Sequence, residues 1–258
     1  MTVITLLEKA YGSFSAKLFE TMLLSLFEGL RVKVRVHGIS SRGWVQIELS
    51  GEDEAVALRL LDREVGLAPV SAEGIGRFSV LRGKIVDSDK SKVELFVDVG
   101  LPDSDISKAF IPLWRLHAQL SDGKKVSIQR LIELFCLFDF VPVSVRFVSD
   151  LNSESRAHEA EFSEAQLSRF SGWLGSNLDR VIVLGASRRD VELAIERARL
   201  LRDVFEVETL GLLEHALLCK LGTDAVGLLP KLGPYLASSS LAPFLPRKIK
   251  QLIESSAL

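Results

Sequence analysis

Apolar and polar positions change rhythm three times along the chain. Residues 2–7, Thr-Val-Ile-Thr-Leu-Leu, are short and β-branched and predict a strand. Phe14, Leu18, Met22, Leu26 and Leu30 then recur near the helical period, so a helix is expected from Ser13, its N-cap, to Gly29, its stop. Arg31 to His37 alternates strictly between polar residues and valine, and after a turn at 38–43 a second strand runs from Trp44 to Leu49. Alternation of period two on both sides of a turn predicts a hairpin. Ala55, Leu58, Leu61 and Val65 form the buried stripe of a second helix that Gly66 ends. Strand, helix, strand, strand, helix is the order of a split βαβ, ferredoxin-like domain, which a short strand near Ala68 to Ser71 would complete.

The second rhythm begins after Ala72-Glu73-Gly74-Ile75-Gly76, where two glycines in three residues read as a linker. Short strands are expected at 78–86, 93–99, 109–113 and 141–148, with a helical insert at 127–138. Short strands separated by Asp, Ser and Lys turns predict a small barrel. A polar stretch at 151–161 reads as a second linker. Beyond it the pattern predicts a helix at 163–174, a buried strand at 180–184, a helix at 187–202, a strand at 204–207 and a helix at 210–221. The expected fold class is α+β in three small domains: a ferredoxin-like unit over 1–74, a barrel over 75–150 and a C-terminal α/β helical domain over 151–258.

Charge narrows the function only slightly. The chain of 258 residues carries 32 Lys plus Arg against 34 Asp plus Glu. The three expected domains hold 8 basic and 10 acidic, 11 and 10, and 13 and 14 side chains, counted over 1–76, 77–150 and 151–258. None is a basic domain, so any contact with a polyanion must come from local patterning. No run of about 18 apolar residues is present to cross a bilayer, and Glu8 and Lys9 break the N-terminal stretch a signal peptide would need. Cys136 and Cys219 lie in apolar contexts without metal-ligand spacing and read as buried thiols in a reducing compartment, so a cytoplasmic location is expected, with no membrane partner and no cofactor.

The strongest local signal is the basic strand. Alternation places Arg31, Lys33, Arg35 and His37 on one face and Val32, Val34 and Val36 on the other. Same-face neighbours stand about 7 Å apart, close to the separation of successive phosphates in a nucleic-acid strand. The alternative is an edge strand blunted with charge against aggregation, or pairing with Glu48 across the hairpin. Trp44, at the mouth of the hairpin, offers a ring on which a base can stack, or caps the core. A second, weaker signal is the strand-to-helix junction Gly185-Ala186-Ser187-Arg188-Arg189, where Gly185, Ser187, Arg188 and Arg189 surround a helix N-terminus of the kind that accepts phosphate. The other reading of those residues, and the one they favour, is a capped surface helix with two solvated arginines. Ser187 and Asp190 match a capping-box spacing.

Enzymatic motifs are absent. His37, His117, His158 and His215 are scattered, and His215 with Cys219, one turn apart on the expected helix, is a geometrically possible nucleophile pair. Leu212, Leu213, Leu217 and Leu218 around it favour burial in a core instead. The apolar passage 221–235 carries a glycine every five or six residues, and reads as a compact helix-turn-helix unit or as a polar cluster of Lys220, Thr223, Asp224 and Lys231.

The middle segment resembles S1-type OB folds through Gly83-Lys84-Ile85-Val86, Phe96-Val97-Asp98-Val99-Gly100, Ala109-Phe110-Ile111-Pro112-Leu113-Trp114-Arg115-Leu116 and Val141-Pro142-Val143-Ser144-Val145-Arg146-Phe147-Val148. The resemblance implies an RNA-binding barrel. Phe96 matches that family's nucleic-acid face, Val93 and Pro112 depart from it, and Lys84, Arg115 and Arg82 stand where a backbone contact would be made. The basic hairpin, the S1-like middle and the passage from Cys219 to Gly233 together resemble an uncharacterised family of archaeal proteins known only as a domain of unknown function. That resemblance implies a prokaryotic cytoplasmic protein and brings no catalytic residue, cofactor or substrate.

The reading that follows is a non-enzymatic protein that binds single-stranded RNA, associated with translation or RNA processing. Arg31, Lys33, Arg35 and His37 meet phosphates, and Trp44 or Phe96 stacks a base beside Lys84 and Arg115. The alternative is an assembly subunit whose partner is a protein. A third reading is an enzyme for a phosphate-bearing ligand held at 185–189.

Overall fold

The computed structural model describes residues 2–10, 15–101, 108–149 and 157–254. The fold is α+β, as expected, with a closed five-stranded barrel between two sheet-and-helix units.

The first unit is built from β1 (Thr2–Lys9), α1 (Ala16–Leu26), β2 (Val32–Ile39), β3 (Trp44–Gly51) and α2 (Glu54–Glu64). Its antiparallel sheet has the order β1-β3-β2. Ser15, not Ser13, caps α1 by accepting a hydrogen bond from the Leu18 N–H; Ser13 lies outside the described residues. Phe19 and Leu23 of α1 and Ala57 and Leu61 of α2 pack on Val45, Ile47 and Leu49. The strand expected at 68–71 is reduced to one antiparallel bridge between Leu6 and Leu67, flanked by hydrogen bonds from Leu7 N–H to Gly66 C=O and from Ala68 N–H to Thr5 C=O. Pro69 follows at once and has no N–H to continue the ladder.

The barrel comprises β4 (Val80–Val86), β5 (Glu94–Asp98), β6 (Lys108–Pro112), β7 (Pro142–Phe147) and β8 (Ala157–Phe162) and closes in the order β4-β5-β6-β8-β7. The β6–β8 pair is parallel, and the helices α3 (Leu113–Leu120) and α4 (Ile128–Phe135) lie between β6 and β7. The expected linker at 151–161 is therefore corrected: residues 157–161 belong to the fifth barrel strand, and the boundary at 150 cuts the barrel open. Ala-His-Glu-Ala-Glu-Phe reads as polar, yet His158, Ala160 and Phe162 all face the interior while the glutamates face out. A strand only half apolar by composition has the polarity of a linker.

The third unit runs α5 (Glu164–Ser176), β9 (Arg180–Leu184), α6 (Arg188–Arg197), β10 (Val204–Thr209), β11 (Glu214–Cys219), α7 (Ala225–Leu232), a 3-10 turn at Gly233–Tyr235, β12 (Ser240–Phe244) and α8 (Pro246–Glu254). Its sheet has the order β10-β11-β9-β12. The helix expected at 210–221 is a strand. Five of the six residues of β11 are buried, and a short run that is apolar on every side carries no period to separate strand from helix. From β9 onward the elements repeat the order of the first unit, strand, helix, strand, strand, helix, and the first strand again lies beside the third.

One face of the third sheet, Ile182, Leu184, Ala216 and Phe244, joins the barrel interior and α4, α5 and α8 in a continuous core. The other face packs Val181, Val183, Leu217 and Cys219 against α6 and α7. Leu212 and Leu213 of the third unit pack against the first unit's core. All three units thus share apolar contacts.

Candidate nucleic-acid interface

The basic strand is placed as its alternation dictates. Lys33, Arg35 and His37 are exposed and Val32, Val34 and Val36 half-buried, on the edge strand of the first sheet. Lys33 and Arg35 face Ser50 and Glu48 of β3 in register, yet neither makes an ion pair among the described residues. His37 Nδ1 lies 3.2 Å from Glu48 Oε1. Arg31 reaches Glu52 at 2.7 Å, with both side chains largely in water, where such a pair is worth about 0–1 kcal/mol and leaves the guanidinium available. Gln46 and Thr5 continue the same outer face through a 3.3 Å hydrogen bond.

The hairpin turn carries this strand to the barrel. Arg42 bonds the carboxylate of Asp98 and the carbonyl of Leu101. Lys9 Nζ donates to Asp98 Oδ2 at 2.8 Å and to the Arg42 carbonyl at 2.6 Å, and sits 3.8 Å from the centroid of the Trp44 ring. Burial pulls the pKa of Lys9 down against the attraction of Asp98. Asp98 also accepts from the Gly100 N–H, closing the corner Asp98-Val99-Gly100.

Trp44 is corrected by this joint. It is 2% exposed and held over by Lys9, so no base reaches its ring. Lys84 is corrected as well. It is 1% exposed, with its ammonium 2.5 Å from Glu8 Oε1 and 2.7 Å from Glu214 Oε1, one carboxylate from each flanking unit. Burial opposes the charge on Lys84, but the two carboxylates outweigh it and hold the pKa above its usual value. Glu8 is pushed up to about 8, by burial first and by the neighbouring Glu214 second, against the pull of Lys84. Arg115 is corrected too: its guanidinium is already neutralised, 2.7 Å from Glu159 and 2.9 Å from Glu161.

Phe96 is half-buried on the barrel's outer surface, opposite Phe110 in register, with Lys108 5.9 Å from its ring centroid. Phe110 is a surface aromatic the sequence reading passed over; the signal was its parity with Phe96, since both alternate with the buried Leu95, Val97, Ala109 and Ile111. Trp114, exposed at the start of α3, stacks on Arg115.

At the junction after β9, Gly185 adopts φ +86°. Its N–H and that of Ala186 are both taken by the Leu213 carbonyl, so neither points at a ligand. Ser187 caps α6 by accepting from the Asp190 N–H, and its hydroxyl donates to the Asp190 carboxylate. Arg188 pairs with Glu192 at 2.9 Å, while Arg189 is exposed on the first turn. A capped helix accounts for these residues. His215 and Cys219 lie on strand β11, about 13 Å apart at its rise per residue, and do not form a pair. Burial raises the thiols of Cys136 to about 12 and Cys219 to about 11, which keeps both protonated.

Two sheets of like strand order, one exposing a row of cations and both tied to a central barrel by buried charges, define a three-unit α+β protein. Residues 3–69 match the DUF2110 N-terminal domain and residues 178–242 the DUF2110 C-terminal domain, so the chain belongs to the DUF2110 family, a family of unknown function. The two matches fall on the flanking units, omitting α5 and α8 of the third, and leave out the barrel. No curated protein matches the chain. No helix among the described residues is long and apolar enough to cross a membrane.

Proposed function

We propose that this protein binds single-stranded RNA without catalysing a reaction, along a path from the outer face of β2 to the outer face of the barrel. The observation that carries the reading is the pair Lys33 and Arg35, exposed in a row and, among the described residues, without an ion pair to a carboxylate. Guanidinium and ammonium groups held on a rigid strand meet phosphates without a large entropy cost. Phe96 and Phe110 supply flat apolar surface for bases, and Arg42, pinned between hairpin and barrel, fixes the distance between cations and rings. The closed barrel order, with a parallel pair between its third and fifth strands and helices inserted before the fourth, supports the OB-type reading of this segment. Trp44, Lys84 and Arg115 are no part of the proposal.

Titrating a labelled single-stranded RNA at about 50 and about 200 mM salt tests it. Two to three phosphate contacts on a single strand give a slope of log K against log salt of about −1.4 to −2.1. The double variant Lys33→Ser, Arg35→Ser is expected to weaken binding and flatten the slope, leaving stability within about 0.5 kcal/mol because both side chains are in water. A slope of zero in the parent chain refutes the reading.

A further inference from the structure

The three units meet around a cavity of about 280 Å³, lined among others by Arg63 and Glu64 of α2, Arg82 of β4, Ser144 of β7, Gln166 and Arg169 of α5 and Thr209 of β10. That is the low end of the size range of small-molecule sites. Its charge is uneven. Arg63 is paired with Glu64 at 2.7 Å. Arg82 spends one nitrogen on the carbonyls of Asp62 and Arg63, at 3.0 Å each, and makes no ion pair among the described residues. Arg169 makes neither an ion pair nor a hydrogen bond among them.

Gln166 is the informative residue. It is 4% exposed, and its Oε1 accepts from the Ser144 N–H at 3.3 Å. Its Nε2 has no hydrogen-bond partner among the described residues, and the residue lines the cavity. Beside it stand two guanidiniums without carboxylates and the hydroxyls of Ser144 and Thr209. The forked geometry of arginine matches the oxygens of a phosphoryl group.

We propose that this cavity binds a small phosphate monoester, with its phosphoryl oxygens taken by Arg82, Arg169 and the Gln166 amide. The ligand then braces three units at once, since each contributes to the wall. None of Lys33, Arg35, Phe96 or Phe110 lines the cavity, so this site stands or falls apart from the RNA path.

Isothermal titration of the full chain with inorganic phosphate and with a 5′-mononucleotide, in separate arms, tests the proposal. The expected result is stoichiometric binding of the mononucleotide, weakened about tenfold or more by Arg169→Gln and by Arg82→Gln. Circular dichroism establishes that each variant is folded. Arg130→Gln, which alters an exposed pair with Glu133 on α4, serves as the control that leaves affinity unchanged. Binding of inorganic phosphate with the same sensitivity to Arg169→Gln places the recognition in the phosphoryl group itself. No binding of either compound up to about 10 mM, or equal affinity in all three variants, overturns the proposal.

Discussion

A lysine ammonium sealed from water is tolerable only when carboxylates surround it, and Lys84 has two, from residues 76 positions before it and 130 after it. Two carboxylates facing one ammonium leave an excess negative charge in a dry site, and the excess is relieved by holding a proton on Glu8, whose pKa rises from the usual 4.5 to about 8. A carboxyl more basic when folded binds more protons in the native state between those two values. Its contribution to stability is fully present below about 4.5 and is lost as pH rises through about 8. Glu8→Gln keeps the neutral shape and removes the titration. The variant is expected to match the parent near pH 4 and to melt increasingly above it as pH rises to 9, as read from melting curves across that interval. Equal loss of stability in both chains between these pH values would show that another group titrates there.

At the scale of elements, the corner Asp98-Val99-Gly100 does structural work that its sequence announces only as a turn. Gly100 has φ +75°, and a Cβ there would stand 2.8 Å from Leu7 Cδ2 and 2.9 Å from Ala68 Cβ. The first unit therefore rests directly on a backbone that lacks a side chain. Gly100→Ala combines left-handed strain with overpacking and is expected to cost about 2–4 kcal/mol, measured by chemical denaturation. The basic strand was legible at this scale, because alternation over Arg31 to His37 has only one structural meaning and β2 follows it residue by residue. β11 was not, because five of its six side chains are buried and the run carries no period. β8 failed for the opposite reason: its outward glutamates, Glu159 and Glu161, exist to neutralise Arg115 and Arg146 on neighbouring elements, and to the sequence alone they look like a linker's charges.

For the whole molecule, the buried cluster and the shared core argue that the three units are one cooperative body. Glu8 also accepts from the Leu212 N–H at 3.2 Å, so a single carboxylate touches both other units. Unfolding is expected to be a single calorimetric transition in the parent chain. Lys84→Met leaves Glu8 and Glu214 buried without their cation; breaking a buried pair in this way costs about 3–5 kcal/mol, and the melting temperature is expected to fall accordingly. Two separate transitions in the parent would show the units to be independent.

By itself the sequence determined what depends on neighbours along the chain. It set the periodic helices, the hairpin with cations on one face, the turns, and the α+β class with a barrel in the middle. Tertiary structure alone decided which charged residues face water. Lys33 and Lys84 both stand at polar positions on strands, but one strand forms an open edge and the other is closed between two carboxylates drawn from distant parts of the chain. Burial is a sum over residues far apart in sequence, and no local pattern carries it.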